Sequence, residues 1–511
     1  MKKLMKLIIC ITTVLSLMLP GVVNASKGIC GYEGGISSGD VSGKTSYDYV
    51  EVCFITGEPI IFKGTLTLKK AYKQGNLNTT YTYNLKNTDK NATLTRIVTF
   101  STKSTTKENG QTIEETSISG TPSESIKIAN TVYTLKTYDF THTDIIDERP
   151  AINYYSGNLW GRKQYQTSGL SGSGTITVDM TGEFYGYDQY WSNVETITYN
   201  YYIASEMKKG NVIDKWGGEA QVAVSSTVTK EIQYIENQPD QISFEGGYME
   251  SQVNNSIMEY SYKMPEFDSQ GISTDVLIEN KGSLQLDSTP VFRRLPVPDT
   301  SSIKGNWYEE DVKQLLSLEV FSGNGKGFNP HKYMTRAEFT SAITRAAKEV
   351  PQDQALINAT KPTSSSSKKT DNKVEIIFDD VKEDSWYFND INSAYKRNLV
   401  NGRTSTMFYP DDYITRADAI CIIIRALGLE NMAPSPVAVT SFKDNDQIPK
   451  YARNAVYVAE SIGLVSGDDN GYLNPNQYLT YGQSAVIINR LINYMRTGIR
   501  EDYRDHIINY Q

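Results

Sequence analysis

A Thr-Arg pair occurs at two corresponding places in the last third of the chain, and its chemistry suits anion recognition. The copies are Thr335-Arg336-Ala337-Glu338 and Thr415-Arg416-Ala417-Asp418, and a third place has Thr480-Tyr481-Gly482-Gln483. Thr followed three residues later by Glu or Gln is a capping box, so these threonines should begin helices. The arginine adds nothing to the cap and faces the positive end of the helix dipole. A forked guanidinium beside free amides at a helix start suits a carboxylate or phosphate.

The role of the two arginines stays open on the residues alone. Arg336 and Arg416 could bind an anionic ligand, or each could form an ordinary surface ion pair with a nearby acid. Tyr481, at the third place, cannot form the bidentate pair that a guanidinium makes with a carboxylate. We therefore expect two competent sites at most, with the third degenerate or purely structural.

Groups suited to other chemistry are scarce. The chain has three histidines, His142, His331 and His506, and no His/Cys cluster with the spacing of a metal site. We expect no metal and no other cofactor. Two carboxylates suffice for a glycosidase, and Glu183, Asp188 and Glu195 are candidates. Acidic residues at this density are more often solvated, so no specific pair is favoured.

An aromatic cluster in the first half of the chain could stack on sugar rings. Aromatic residues at alternating strand positions can equally be cross-strand packing pairs, and this alternative is favoured. The cluster consists of Tyr185, Tyr187, Tyr190 and Trp191.

The Thr-led helices belong to three near-copies of one module, predicted at residues 303–347, 378–430 and 442–495. Each copy has an amphipathic helix, a Gly-containing turn, an aromatic- or Leu-x-Pro step and the second helix. The Pro steps are Phe328-Asn329-Pro330, Phe408-Tyr409-Pro410 and Leu473-Asn474-Pro475. Helices of about ten residues cannot bury their apolar faces alone, so the copies should pack around one core.

These repeats resemble the S-layer homology family of cell-surface anchoring modules. The resemblance rests on the Thr-Arg-Ala-Glu step and on the Phe-x-Asp starts at Phe378 and Phe442, which the first repeat lacks. It implies an all-α, pseudo-threefold module that binds secondary cell-wall polysaccharide or other peptidoglycan-associated glycan, often carrying pyruvate ketals. It also moves the balance for both arginines toward ligand contact. The implied ligand-binding positions are Arg336, Arg416, Trp307, Trp386, Gly323 and Gly402.

Residues 26–295 lie outside this resemblance and predict antiparallel β structure. Runs such as 79–85, 94–100 and 174–180 alternate polar with apolar residues, and β-branched and aromatic residues are frequent. Helical periodicity is scarce. The length fits one large all-β domain or two smaller sandwiches. The predicted fold class is therefore a multidomain chain with an all-β N-terminal region and an all-α C-terminal module.

Residues 1–25 predict a secretory signal peptide. Lys2, Lys3 and Lys6 precede an apolar run at 7–19, and Val23-Asn24-Ala25 fits a cleavage site. The run is short for a membrane helix, no second one follows, and no sorting tail is present. We therefore expect a secreted protein with no membrane span in the mature chain, held non-covalently at the cell wall or surface layer.

Cysteines and charge complete the expectations. Cys30 and Cys53 could form a disulfide worth roughly 3 kcal/mol, or be two free thiols, whereas Cys421 should be an inert core residue. The net charge is −8, and residues 303–495 have 21 Lys and Arg against 23 Asp and Glu. Because no positive field attracts a polyanion, nucleic acid is disfavoured, and an anionic glycan must be bound through local arginines.

Three functions fit the sequence. The first is a wall-anchored structural protein without catalysis, favoured because no catalytic site is recognisable. The second is an anchored glycan- or peptide-degrading enzyme, and the third is an anchored adhesin. Both alternatives would place their site in residues 26–295.

Overall fold

The computed structural model describes residues 30–38, 45–108, 110–169, 173–236, 246–349, 376–435 and 438–503. The protein is mostly β, with 48% of residues in strands and 20% in helices. The predicted signal peptide at residues 1–25 and His506 lie outside the described residues.

One antiparallel sheet of 15 strands forms the N-terminal region, which excludes the expectation of two separate sandwiches for the described residues. Its strands are β1 Ile36–Ser37, β2 Ser46–Cys53, β3 Ile60–Lys73, β4 Asn76–Asn87, β5 Ala92–Thr106, β6 Gln111–Ile118, β7 Ser123–Ile128, β8 Thr131–Glu148, β9 Ile152–Gly169, β10 Ser173–Gln189, β11 Ser192–Lys209, β12 Val212–Ile235, β13 Gly247–Phe267, β14 Ser273–Asp287 and β15 Val291–Arg294. Neighbours in sequence are mostly neighbours in space, while β6 and β7 together fill the place of one strand between β5 and β8.

Alternating burial explains why these segments form strands. The three runs singled out in the sequence lie within β4, β5 and β10, and their mostly buried apolar residues alternate with polar residues that are generally more exposed. The sheet curls, so that the amide of Asn254 in β13 donates to the carbonyl of Ser38 beside β1 at 2.8 Å. Its concave face buries a core rich in Tyr and Phe.

Five charged side chains lie inside this sheet. Arg96 donates to both carboxylate oxygens of Glu51 (2.8 and 3.0 Å) and to Glu124 at 2.8 Å. Lys163 donates to Glu124 at 3.0 Å and contacts Glu33. All five side chains are at most 6% exposed. Because every cation has carboxylate partners, this sealed cluster is a structural network.

The C-terminal region corrects the predicted fold class, because it is not an all-α module. Its helices are α1 Glu309–Ser317, α2 Arg336–Ala347, α3 Phe388–Lys396, α4 Arg416–Leu427, α5 Arg453–Ser461, α6 Tyr481–Asn493 and α7 Ile499–Asp502, with 3-10 turns at Ser301–Ile303, Glu430–Met432, Asn445–Gln447 and Lys450–Ala452 and a π-helical turn at Tyr494–Gly498. Long loops and single β-bridges separate these short helices. Turns at glycines and at the Pro steps need non-helical backbone, which is why helices occupy only part of each repeat.

A closed ring of backbone hydrogen bonds joins the three repeats just before their second helices. The amide of Met334 donates to Leu479 O (2.9 Å), that of Leu479 to Ile414 O (3.1 Å), and that of Ile414 to Met334 O (3.0 Å). Each repeat therefore gives and receives one bond. The order around the ring explains how one core can hold all three second helices, α2, α4 and α6.

The sheet and the repeats share a hydrophobic core, because one end of the sheet covers the C-terminal ends of the second helices. Trp191 donates to Ala346 O at 2.7 Å, Tyr154 to Leu427 O at 3.1 Å, and Ser192 to Met495 O at 2.7 Å. These donors satisfy carbonyls that a helix end leaves unpaired. The connecting segment is also fixed, since Leu295 is buried and its amide donates to Tyr248 O at 2.9 Å.

This junction rules out a sugar-binding role for the aromatic cluster. The cluster does not form a sugar-binding surface, because Tyr187 and Trp191 are fully buried and Tyr185 and Tyr190 pack against the shared core.

Of the two alternatives for Cys30 and Cys53, the disulfide is absent, since both are free thiols. The Cys30 thiol lies 3.4 Å from the Ser37 hydroxyl, whereas Cys53 ends β2 beside the charged cluster.

Within the described residues, no helix has the length and apolar character needed to cross a membrane.

Candidate functional site

The first residue of each second helix reaches into a groove of the next repeat around the ring. Arg336 donates to the carbonyls of Phe408 (3.2 Å) and Asn401 (3.3 Å) in the second repeat. Arg416 donates to the Ser466 carbonyl (3.1 Å) in the third repeat. Tyr481 packs edge-on against Phe321 and Phe328 of the first repeat, with ring centroids 5.5 and 5.6 Å away. Each groove therefore lies between two neighbouring repeats, and residues of both repeats form it.

The threonines occupy the helix starts as the capping motif predicts. Thr335 and Glu338 form a complete capping box, as do Thr480 and Gln483. Thr415 only accepts from the Asp418 amide, and Asp418 instead accepts from the Tyr451 hydroxyl at 2.7 Å. The shorter Asp side chain thus serves the groove and leaves the box half complete.

The amides that sequence reasoning treated as free for a ligand are already bonded. The amides of Arg336 and Ala337 donate to Asp412 O and Pro410 O of the next repeat, and those of Arg416 and Ala417 donate to Gln477 O and Pro475 O. The Thr hydroxyl takes the third amide of each helix. Any anion at these sites must therefore be bound by the guanidinium groups.

Neither arginine has a carboxylate partner in the described part of the chain, although Arg336 is buried and Arg416 is half-buried. Among the described residues neither Arg336 nor Arg416 has an Asp or Glu oxygen within ion-pair distance, and the Nε atom of Arg416 is buried without a hydrogen-bond partner. Desolvation lowers the pKa of each guanidinium, and for Arg416 the nearby Arg490 adds to the lowering. The guanidinium groups donate to neutral carbonyls, whereas nearby carboxylates act on them only from beyond ion-pair distance: Asp412 and Asp418 on Arg336, and Asp444 and Asp468 on Arg416. A bound anion would therefore gain a strong, charge-assisted contact.

The Phe-x-Asp motif shapes the groove walls. Both carboxylate oxygens of Asp380 accept from the Phe408 and Tyr409 amides (2.8 and 2.6 Å), and Asp444 holds the corresponding amides of the third repeat. Gly402 leaves no space for a side chain, because a Cβ there would lie 2.4 Å from the Thr404 carbonyl. The second repeat therefore needs a glycine directly after Asn401, which bonds Arg336.

The groove at Tyr481 has a volume of about 550 Å³. Trp386, 58% exposed, lines it together with Lys332, Glu338 and Arg345. Its cations have local partners, because Lys332 pairs with Glu338 and Arg345 with Asp390, at 2.8 and 2.7 Å.

The structure thus distributes the six predicted site residues instead of gathering them in one pocket. Arg336 and Gly402 belong to one groove, and Arg416 to a second. Trp386 lines the groove of Tyr481, where Gly323 follows the lining residue Ser322 and has a φ of 97°. Trp307 is 69% exposed beside Tyr308.

Sequence reasoning missed three tyrosines around the ring. Tyr333, Tyr413 and Tyr478 each precede a capping Thr by two residues, and their ring centroids lie 5.4–6.0 Å apart. They are 44–46% exposed. The repeated Tyr-x-Thr spacing was the available signal. The trio lies on the face where the second helices begin, opposite the face that meets the sheet.

A protein-family model matches the chain at each of the three repeats. The model of the "S-layer homology domain" matches residues 298–340, 377–420 and 441–485. The chain therefore carries three S-layer homology domains, and these matches do not extend into the sheet.

Similar proteins include both enzymes and surface-layer proteins. An amylopullulanase of Thermoanaerobacterium thermosulfurigenes is 31% identical over 194 residues, covering 38% of this chain and 9% of that protein. Exoglucanase XynX of Acetivibrio thermocellus is 29% identical over 194 residues, 38% of this chain and 16% of its own length. The surface-layer 125 kDa protein of Lysinibacillus sphaericus is 27% identical over 207 residues, 40% of this chain and 15% of its own.

The chain thus spans less than a fifth of the length of these three relatives. The similarity that these relatives share with this chain is consistent with its three S-layer homology domains. These domains make the chain a surface protein associated with the cell wall.

Proposed function

We propose that the three domains anchor the protein non-covalently by binding secondary cell-wall polysaccharide in the grooves between repeats, with the sheet displayed above them. The observation that carries the proposal is the pair of partly desolvated arginines, Arg336 and Arg416, which among the described residues donate to carbonyls and form no ion pair with a carboxylate. A carboxylate on a neutral sugar chain, such as a pyruvate ketal, would supply the missing charge.

The chemistry of the grooves supports a sugar with one acidic group over a highly charged polymer. Each arginine groove has one guanidinium at its helix start, with Arg403 near Arg336 and Arg490 near Arg416. The aromatic side chains Phe408 and Tyr451 lie near Arg336. Aromatic faces suit the apolar faces of sugar rings, while the guanidinium suits a carboxylate. A polyanion would need a continuous positive field, which the balanced charge of residues 303–495 does not provide.

The position of the sheet favours display over catalysis within this proposal. It covers the helix ends opposite the arginines, so it leaves the grooves accessible. Of the carboxylates considered for a glycosidase, Asp188 and Glu195 are buried whereas Glu183 is exposed. These acids therefore do not line a common open cleft.

Co-sedimentation of the full chain with purified walls tests the proposal. The chain should pellet with native walls and stay in solution with walls stripped of their secondary polysaccharide. The double variant Arg336→Ala/Arg416→Ala should pellet much less with native walls. Equal pelleting with native and stripped walls would show that the polysaccharide is not the ligand.

A further inference from the structure

The last full-length strand of the sheet is exposed to an unusual degree. β14 pairs with β13 on one side, and no described strand pairs with its other edge. Val276, Leu277 and Ile278 are consecutive, so their side chains alternate between the two faces, and they are 55%, 51% and 42% exposed. A long edge with unpaired backbone groups and exposed aliphatic residues is a template for another strand.

Protein edges of this kind usually carry a feature that blocks pairing. The 15 residues of β14 include no proline, and the one irregularity in its pairing with β13 lies at its start, opposite Pro265 and Phe267. Its charged residues are Asp275, Glu279, Lys281 and Asp287. Whether these charges repel or attract depends on the strand that lies opposite them.

We propose that β14 pairs with β14 of a second copy of this chain, antiparallel and centred on Asn280, so that the two sheets become one continuous sheet. In an antiparallel pair, two opposed residues direct their backbone N–H and C=O groups either both toward the partner strand or both away from it. In a symmetric pair of identical strands, the twofold axis therefore passes between the two copies of one residue. Centring on Asn280 overlaps all 15 residues of the strand.

The charges select this register. With Asn280 at the centre, Glu279 of each copy lies opposite Lys281 of the other, and Val276 lies opposite Leu284. A shift of the centre by one residue places Glu279 opposite Glu279 or Lys281 opposite Lys281, which is unfavourable. Within its own sheet Glu279 already pairs with Lys263 at 2.7 Å. The dimer would therefore place each Glu279 between two lysines.

Two single charge changes and their mixture test the register. Glu279→Lys gives a chain with two lysines and Lys281→Glu a chain with two acids, so each variant opposes like charges in its own homodimer. In the mixed dimer every Lys again faces a Glu. By light scattering or sedimentation equilibrium over about 1–100 μM, each variant alone should dissociate at least about tenfold more readily than wild type, and their mixture should restore association.

Glu206→Lys and Lys215→Glu are the matched controls. These residues form a similar exposed cross-strand pair, at 2.9 Å, between β11 and β12 and away from the edge. Both controls should associate like wild type. Circular dichroism melts of all variants should agree within a few degrees, because exposed pairs contribute little to stability.

Three results would overturn the proposal. The first is a wild-type chain that stays monomeric over the whole concentration range. The second is association that persists in both single variants, because the contact would then lie elsewhere. The third is loss of association in both variants with no recovery on mixing, because another register or partner would then be required.

Discussion

Both regions of the molecule withdraw arginines from water, but in opposite electrostatic surroundings. In the sheet, burial alone would lower the pKa of Arg96, yet Glu124, Glu33 and Glu51 outweigh it and raise that pKa well above its usual value. In the repeats, desolvation lowers the pKa of Arg336 and Arg416, and nearby carboxylates offset this only in part. The hydrogen-bond partners of both guanidinium groups are neutral carbonyls. A buried cation that its own chain has neutralised holds the fold together. One that lacks such partners is suited to hold a ligand.

The largest effect is expected when the buried guanidinium of Arg96 is removed from the sheet. Arg96→Met should lower the free energy of unfolding by about 3–5 kcal/mol, because it leaves three buried carboxylates with Lys163 as their cation. Urea denaturation measures the loss. The control Arg162→Met breaks an exposed pair with Asp179 and should change stability far less. If both variants lose the same small amount, the buried cluster does not differ from a surface pair.

Removing the arginines of the grooves should have the reverse pattern. Arg336→Ala and Arg416→Ala should each weaken binding of pyruvylated wall glycan by about 1.5–3 kcal/mol, with little change in melting temperature. Tyr481→Ala should leave affinity nearly unchanged, because that groove lacks a guanidinium at the helix start. Calorimetric titration beside thermal melts measures both quantities.

The chain offers a matched control for these variants. Arg397 is half-buried like Arg416, has a pKa lowered by desolvation and donates to the Pro150 carbonyl, but it lies at the sheet end of the repeats. Arg397→Ala should cost stability without affecting glycan affinity. Wild-type affinity in both groove variants would mean that the glycan binds elsewhere on the repeats.

The capping threonines sharpen the contrast at smaller scale. Thr335→Ala should cost about 1 kcal/mol of stability and have a smaller effect on glycan affinity, since Thr335 serves the helix and not the ligand. Thr415→Ala should cost less, because its capping box is half complete. Thermal melts that rank Thr415→Ala as the more damaging variant would contradict this reading of the caps.

The thiols should show the smallest effect near neutral pH. Burial raises the pKa of Cys30 to about 11 and that of Cys53 and Cys421 to about 12. At pH 8 all three should resist alkylation in the folded chain and react after unfolding, as counted by mass. Because folding raises these pKa values, the thiols should destabilise the fold only as pH rises above about 9, where the unfolded chain loses protons first. Rapid alkylation of a native thiol at pH 8 would disagree with these pKa shifts.

Patterns among neighbouring residues correctly predicted several strands and helix starts. Alternation located strands such as β4 and β10, and the Thr-led motif located the starts of α2, α4 and α6, because both signals depend on near neighbours. The all-α prediction failed since it extrapolated from helix patterns to the loops. Those loops owe their shape to contacts such as that of Asp380 with the Phe408 amide.

Contacts distant in sequence could not be predicted. The aromatic cluster around Trp191 gave no sign that its partner would be Ala346, 155 residues later. For the same reason the sequence treated helix-start amides as free, although carbonyls of the next repeat, such as Pro410 O, accept from them. Neither the partners nor the absence of a Cys30–Cys53 bond follows from spacing along the chain.

The sheet packs on the C-terminal ends of the second helices, and this arrangement determines how far the tip of the sheet lies from the helix starts. β12 has 24 residues, and its C-terminal end lies at the repeats, where Lys230 O accepts from Arg496. From Val212 to Lys230, at about 3.3 Å per residue, this strand covers roughly 60 Å, and the second helices add about 18 Å. The turn at Gly210 would therefore be carried on the order of 80 Å from a glycan held by the arginines. The sheet is then a rigid spacer, and strand length determines how far from the wall its tip is presented.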